Sequence, residues 1–315
     1  MERTFRIYRA LEELDHDFGP SAVTVGNFDG VHGGHRRILR RVAALAGERG
    51  WKPSVLTFDP HPVRIVAPDR APRLLTTPEE RALAMREEGI QQVLILPFTR
   101  ELSQFSPEQF VRDILVARLD ARAVLVGGNF RFGHEHAGDT RLLEELGRRY
   151  GFLVEGIPAI RIRGRVVSSS EVRRLIQEGN VSLAARLLER PYALAGEVVA
   201  GRGVGSQQTV PTLNLAPVAE VLPARGVYVT RTADLDGARA WPSVTNVGVR
   251  PTFGGDTLSI ETFLLQPLEG GSPQAIRVEF LKRLREERKF PDAAALKAQI
   301  LKDAARARTY FRRRP

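Results

Sequence analysis

Cysteine is absent from the 315-residue chain, and methionine and tryptophan occur only twice each. Without a thiol there is no disulfide, no thiolate zinc site and no cysteine nucleophile. Chemistry therefore has to come from His, Ser, Thr, Asn, Asp, Glu, Lys, Arg or backbone donors. No run of about eighteen uninterrupted apolar residues occurs, so no membrane-crossing helix is expected. The opening segment MERTFRIYRALEELDHD lacks the apolar core of a signal peptide, and a soluble cytoplasmic protein is the expectation. There is also no internal repeat, no low-complexity linker and no Gly-Lys pair; the last absence excludes a Walker A phosphate loop.

With 43% apolar residues, the chain is long enough for two compact domains, each with its own core. The formal charge of +10 fits a polyanionic partner, either nucleotide or nucleic acid. Much of the arginine, however, is spread along helix-like segments such as RRILRRVAALAGERG and RLREERK, which read first as solvated faces. Charge alone does not make this a nucleic-acid-binding protein. An oligomer is compatible with the sequence.

From Ala22 to about Ile157, strand-like runs (AVTVG, SVLTF, VLILPF, AVLVG, FLVEGI) alternate with longer helical stretches, the rhythm of an open α/β fold with a parallel sheet. Thr77, Pro78 and Glu80 spell a capping box with proline at the first helical position, and Ser106, Pro107 and Gln109 repeat it. Near Pro191 the pattern changes to short β-rich runs (LAGEVVAG, TLNLA, GVYVTRT, PSVTNVG, SIETFLL, IRVEFLKRL) separated by glycine turns, as in a small barrel or sandwich. Leu296, Ile300 and Leu301 then form a helical apolar stripe suited to covering a barrel end. Two domains are expected, residues 1–188 and 189–315.

The strongest chemical signal is GNFDGVHGGH, Gly26 to His35, between the AVTVG strand and a helix. The carboxyl end of a strand followed by the amino end of a helix is where open α/β sheets bind phosphates. Gly26, Gly30, Gly33 and Gly34 allow close backbone approach, and His32 and His35, three apart, can both face one phosphate. Nucleotidyl transfer needs such charge stabilisation more than a protein nucleophile. The bland alternative is that His32 merely caps the helix. A zinc reading fails for want of a third ligand, and His134 and His136 in FGHEHAG read as a polar loop rather than a metal pair. Phe130 and Phe132 either stack on a ring or fill the core. In VSSSEVRRLI, Ser168 and Glu171 either cap a surface helix or open a second phosphate clamp with an arginine one turn in.

In the β-rich half, GRGVGSQQTVPTLNL carries a glycine-rich loop, weak evidence by itself, into a strand whose alternation puts Thr212 and Asn214 on one face. A hydroxyl and an amide there can hold hydrated Mg²⁺ and phosphates. Glu261, in SIETFLL, either lies on the wet face of its strand or takes a proton from an attacking hydroxyl.

GNFDGVHGGH, TFDPHP, GGNFRFG and VSSSEVR, in this order, resemble the FMN adenylyltransferase half of the bifunctional riboflavin kinase/FAD synthetase family, and the β-rich motifs through NVGVRPTF and IRVEFLKRLREERKF resemble its riboflavin kinase half. The resemblance implies an HxGH-type nucleotidyltransferase domain with a Rossmann-like parallel sheet, then a small antiparallel β-barrel with a C-terminal helix. It implies that Gly26, Asn27, Phe28, His32, His35, Ser169, Ser170 and Arg173 bind ATP, although the family usually has threonine where Ser170 stands. It places flavin against Asp59, His61, Asn129 and Phe130. In the kinase half it assigns ATP to a loop containing Gly201, Gly203 and Gly205, Mg²⁺ and phosphate to Thr212 and Asn214, and the catalytic base to Glu261. Two departures are visible: Ser206, Thr209 and Val210 replace the usual Leu-Gly-Phe pattern before Pro211, and Leu213 replaces alanine. The implied chemistry is phosphorylation of riboflavin to FMN and adenylylation of FMN to FAD with release of pyrophosphate, both using ATP and Mg²⁺. The alternatives are another HxGH-type nucleotidyltransferase, which the kinase-like half argues against, and a basic nucleic-acid adaptor, which the histidine and Thr/Asn/Glu sets argue against. Riboflavin, FMN and ATP are the expected substrates; neither nucleic acid nor membrane is expected as a partner.

Overall fold

A computed structural model describes residues 4–199, 212–235, 238–252, 255–269 and 271–313. The chain divides into two compact units, Met1–Ser169 and Ser170–Pro315.

In the first unit, strands β1 (Arg6–Tyr8), β2 (Ser21–Val25), β3 (Lys52–Asp59), β4 (Gln92–Pro97), β5 (Ala121–Gly127) and β6 (Leu153–Ile157) form one parallel sheet in the order β1-β4-β3-β2-β5-β6. Its helices are α1 (Gly33–Arg49), α2 (Pro62–Val66), α3 (Pro78–Glu87) and α4 (Thr140–Tyr150). The strands read as continuous apolar runs because both faces are covered. Val93 and Ile95 join a core with Leu39, Val42 and Met85 of α1 and α3, while the alternate Leu94 and Leu96 join Phe110, Ile114 and Leu143 on the other face. Each such side chain contributes about 1.5–3 kcal/mol when fully buried.

The five expected strands are all present; β1 is an addition, a three-residue edge strand too short to carry a period. Both capping boxes form as read. The one at Ser106 leads into a π-helix, Phe110–Val116, rather than an α-helix. Its wider turn buries Phe110, Val111, Ile114 and Leu115 together, and such turns, rare in general, are frequent at functional sites.

The second unit opens with α5 (Ser169–Gln177) and α6 (Val181–Leu188). Strands β7 (Tyr192–Val199), β8 (Thr212–Pro217), β9 (Gly226–Asp234), β10 (Ala240–Thr252), β11 (Gly255–Leu264) and β12 (Ala275–Arg285) close into an antiparallel barrel in the order β7-β8-β11-β10-β9-β12, followed by α7 (Ala293–Arg312). Helix α6 packs with the barrel, the Ser182 hydroxyl donating to the Leu281 carbonyl at 2.8 Å.

Helix α7 covers the barrel by a different face from the one its leucines mark. Leu296, Ile300 and Leu301 are exposed, whereas Ala304 and Ala307 are buried, and Ala307, Tyr310 and Phe311 pack against Val227, Val229 and Val244. Alanines let the helix axis lie close to the strands, which the bulkier stripe would prevent.

Inside the barrel, apolar Leu213, Leu215, Tyr228, Val247, Ile260 and Phe280 share the space with five fully buried hydroxyl residues. Thr232 bonds Ser243, Ser243 bonds Thr230, and Thr230 bonds Thr245, each at 2.8 Å, and Thr245 bonds Thr262 at 2.9 Å. The hydroxyls satisfy one another across three strands, so their burial is tolerated.

Candidate active sites

The loop joining β2 to α1 is anchored at several points. Gly26 N–H donates to the Leu56 carbonyl at 3.1 Å. The buried Asp29 carboxylate accepts from Leu75 N–H at 2.9 Å and Thr76 N–H at 3.2 Å, and the Ser169 hydroxyl donates to the Asp29 carbonyl at 2.9 Å. These bonds hold Phe28 (φ 50°) and Val31 (φ 39°) in left-handed conformations, each costing about 1–3 kcal/mol for a non-glycine residue. Gly30, at φ 77°, takes the same region freely. At Gly34 a Cβ would stand 3.1 Å from the His32 ring, tight enough to press on it.

His32 is both the cap and a site residue. It is the N-cap of α1 and 6% exposed, and its Nδ1 accepts from His35 N–H at 3.3 Å. A neutral His32 accepting at Nδ1 carries its proton on Nε2, which makes Nε2–H a donor. His35 stacks on His32 at 3.6 Å between centroids and meets Phe28 edge-on at 4.9 Å. Burial first, then the His32 and Arg81 charges, push the pKa of His35 well below the ordinary 6.5. Two stacked imidazoles at a helix N-terminus thus form a donor surface for anionic oxygen.

Beside this loop lies a cavity of ≈ 570 Å³ lined by Gly26 and Asn27 together with Phe58, Phe98, Phe105 and Phe130. Asn129 and Phe130 line it; Asp59 and His61 do not. His61 instead caps α2 and sits 3.1 Å from the Asn27 amide nitrogen, while Asp59 is exposed at the end of β3. Phe132 is buried in the core and stacks on Phe130, 5.4 Å between centroids. His134 and His136 lie on an exposed turn at the cavity, and among the described residues no group of three or more His, Asp or Glu side chains is arranged for a metal ion. The Ser170 hydroxyl accepts from Arg173 Nη1 at 3.5 Å at the start of α5.

In the barrel, Leu213 and Leu215 face inward, leaving Thr212 and Asn214 on the outer face. Asn214 of β8 is directly opposite Glu261 of β11, which is in turn opposite Asn246 of β10. The Ser259 hydroxyl donates to Glu261 Oε1 at 3.0 Å. The half-buried carboxylate is therefore flanked by two amides and oriented by a hydroxyl. The loop with Gly201, Gly203 and Gly205 lies outside the described residues.

Sequence reasoning missed Asp29 and Asn246. Asp29 was in plain view within GNFDG, where an acid inside an otherwise anion-seeking loop signals an anchor to backbone N–H groups. Asn246 belongs to the site only through strand register, for which NVGVRPTF carries no local signal.

The comparisons with known proteins divide the chain as the two sites do. The family model for FAD synthetase matches residues 15–171 and that for riboflavin kinase residues 188–311. A bifunctional riboflavin kinase/FMN adenylyltransferase of Pseudomonas fluorescens is 37% identical over 96% of this chain and 97% of its own length. The protein of that name from Escherichia coli K12 is 35% identical over 92% of each. A crystal structure of a macrolide-efflux protein from Streptococcus pneumoniae, 24% identical, superposes with a TM-score of 0.85 over 96% of this chain and 98% of its own, a likeness of fold. A sheet-borne HxGH loop in the first unit, a Thr/Asn/Glu row on a barrel in the second, and relatives matching end to end put this chain in the bifunctional riboflavin kinase/FMN adenylyltransferase family.

Proposed function

We propose that residues 1–188 carry the adenylylation of FMN and residues 189–315 the phosphorylation of riboflavin, each reaction using its own ATP. In the second domain a ribityl hydroxyl attacks the γ-phosphorus, its proton passes to the Glu261 carboxylate, and ADP leaves. Asn214 and Asn246, opposite Glu261 in register, hold that carboxylate and the phosphates in line. The oxygen donors Thr212 and Asn214 suit a hard cation, and Mg²⁺ held there with ATP would neutralise the transferring oxygens.

In the first domain a phosphate oxygen of FMN attacks the α-phosphorus of ATP, the bond to the β-phosphate oxygen breaks, and pyrophosphate leaves. Gly26, Asn27 and Phe28 bring backbone against the triphosphate, and His32 and His35 donate to oxygens on which charge accumulates. Ser169 is tied to the same loop by its bond to Asp29; the assignment of Ser170 and Arg173 to ATP rests on the VSSSEVR motif. The flavin ring occupies the ≈ 570 Å³ cavity, with Phe130 as its stacking face and Asn129 as a polar contact. Asp59 and His61 act from the rim, His61 through Asn27. Dependence on ATP places the work in the cytoplasmic nucleotide pool.

The observation that carries this reading is the stacked His32/His35 pair at the α1 N-terminus, with an aromatic cavity opening from the same loop. Full-length protein incubated with riboflavin, ATP and Mg²⁺, with flavins resolved by chromatography over time, is expected to make FMN and then FAD. Folded protein that makes neither would overturn it.

A further inference from the structure

The first turn of α3 reads Pro78-Glu79-Glu80-Arg81, a charged stretch of the kind that usually faces water. Arg81 nevertheless has no exposed surface at all. Its Nη1 donates to the Asn27 carbonyl at 2.6 Å, whereas Nε and Nη2 are buried without a hydrogen-bond partner. Among the described residues no carboxylate forms a salt bridge or hydrogen bond with it. Asp29 is engaged by the backbone of Leu75 and Thr76, and Asp29, Asp59 and Glu79 act on Arg81 only through space, against a desolvation that lowers its pKa. A buried guanidinium with one hydrogen bond is strongly destabilising unless an anion compensates it.

The bond to Asn27 has a geometric consequence. That carbonyl also accepts from the Thr57 hydroxyl at 3.3 Å, so it is held from the protein side by two donors. The Asn27–Phe28 peptide is trans, and in a trans peptide the C=O and the following N–H point in opposite directions. Clamping the carbonyl inward turns Phe28 N–H away from Arg81. Phe28, at φ 50°, makes no backbone hydrogen bond through that N–H among the described residues. Successive backbone N–H groups in such left-handed turns form concave anion sites.

We propose that Arg81 is a positioning residue for adenylyl transfer: from beneath the loop it aims the Phe28 N–H at an ATP phosphate, and the triphosphate supplies the negative charge its guanidinium lacks. The proposal rests on the reading of this loop as the ATP-phosphate site. The same cation helps keep the neighbouring His35 neutral until the polyanion arrives.

The test uses full-length protein carrying Arg81→Met, Arg81→Gln or Arg81→Lys, with His32→Ala alongside. Affinities for ATP, inorganic pyrophosphate and adenosine are measured by calorimetry, together with kcat and KM for FAD formation from FMN. Thermal melting and riboflavin phosphorylation report folding. Arg81→Met and Arg81→Gln are expected to weaken ATP and pyrophosphate about 10–100-fold, the scale of lost outer-shell support, to raise KM for ATP, and to leave adenosine binding and riboflavin phosphorylation at wild-type values. Arg81→Lys, which keeps the charge, is expected to recover most of the loss. An unchanged ratio of ATP to adenosine affinity in the uncharged variants, or a lysine variant no better than glutamine, overturns the proposal. If Arg81→Met does not fold, the glutamine and lysine variants decide by the same ratio. Wild-type FAD formation by His32→Ala would instead sink the reading of the loop, a result separable from the behaviour of Arg81.

Discussion

The two sites are written into the chain in different ways. The phosphate loop is contiguous: ten residues between one strand and one helix bring their own turn, cap and imidazoles, and neighbouring segments only brace them. The barrel site is distributed: Asn214, Asn246 and Glu261 come from three strands and meet only because the register aligns them. A contiguous site depends on local backbone conformation, and a distributed one depends on the integrity of the whole sheet. Substitutions that disturb packing should therefore reach the kinase chemistry more readily than the adenylyl transfer.

The largest effect expected is at the distributed site. Glu261→Gln should lower riboflavin phosphorylation by about 10²–10⁴-fold, the range for loss of a general base, while conversion of supplied FMN to FAD continues at the wild-type rate. His32→Ala should lower adenylyl transfer by about 10²–10³-fold, as for removal of one donor to a developing oxyanion, and stop the reaction at FMN. If either variant abolished both reactions, the two sites would not be separable and the comparison would break. Next comes Ser243→Ala, which leaves the Thr232 hydroxyl without its partner and Thr230 with Thr245 alone, and should cost about 1–3 kcal/mol in denaturant unfolding; riboflavin phosphorylation should fail at lower denaturant than FAD formation. Thr77→Ala, removing one side of the capping box, should cost about 1 kcal/mol and leave kinase activity untouched.

The smallest effect concerns pH. Because the native value of His35 lies below 6.5, the unfolded chain takes up a proton that the native state does not. Stability is therefore whole above 6.5 and is lost as pH falls through 6.5 toward the native value. Urea unfolding at about pH 7.5 and about pH 5.5 should show that loss, and His35→Asn should reduce it. Equal pH dependence in the two proteins would show that His35 is not the group responsible.

Much of the first unit was legible because its signals are local. Strand runs, capping boxes and the GNFDGVHGGH loop each fit in a short window, and all three formed. The π-helix was not legible, since the apolar run Phe110–Val116 suits either helical pitch and only packing chooses. Arg81 was hidden for a related reason: a glutamate-flanked arginine in a first turn is ordinarily solvated, and only the loop folding over it buries it. In α7 the hydrophobic stripe misled because small alanines, not large leucines, set how closely a helix approaches a sheet. In the barrel, alternation placed Thr212 and Asn214 on one face, but cross-strand neighbours such as Asn246 emerge only from pairing.

The chain of hydroxyls inside the barrel has a consequence for assembly. In a purely aliphatic interior a slipped strand loses apolar burial but leaves no polar atom unpaired inside. Here a slip of one residue would turn the hydroxyls of the slipped strand outward, Thr230 and Thr232 on β9 or Ser243 and Thr245 on β10, and leave their buried partners with no oxygen to meet. The oxygens at 2.8–2.9 Å thus fix which face each of these strands turns inward, and with it the outward face on which Glu261 and Asn246 stand side by side.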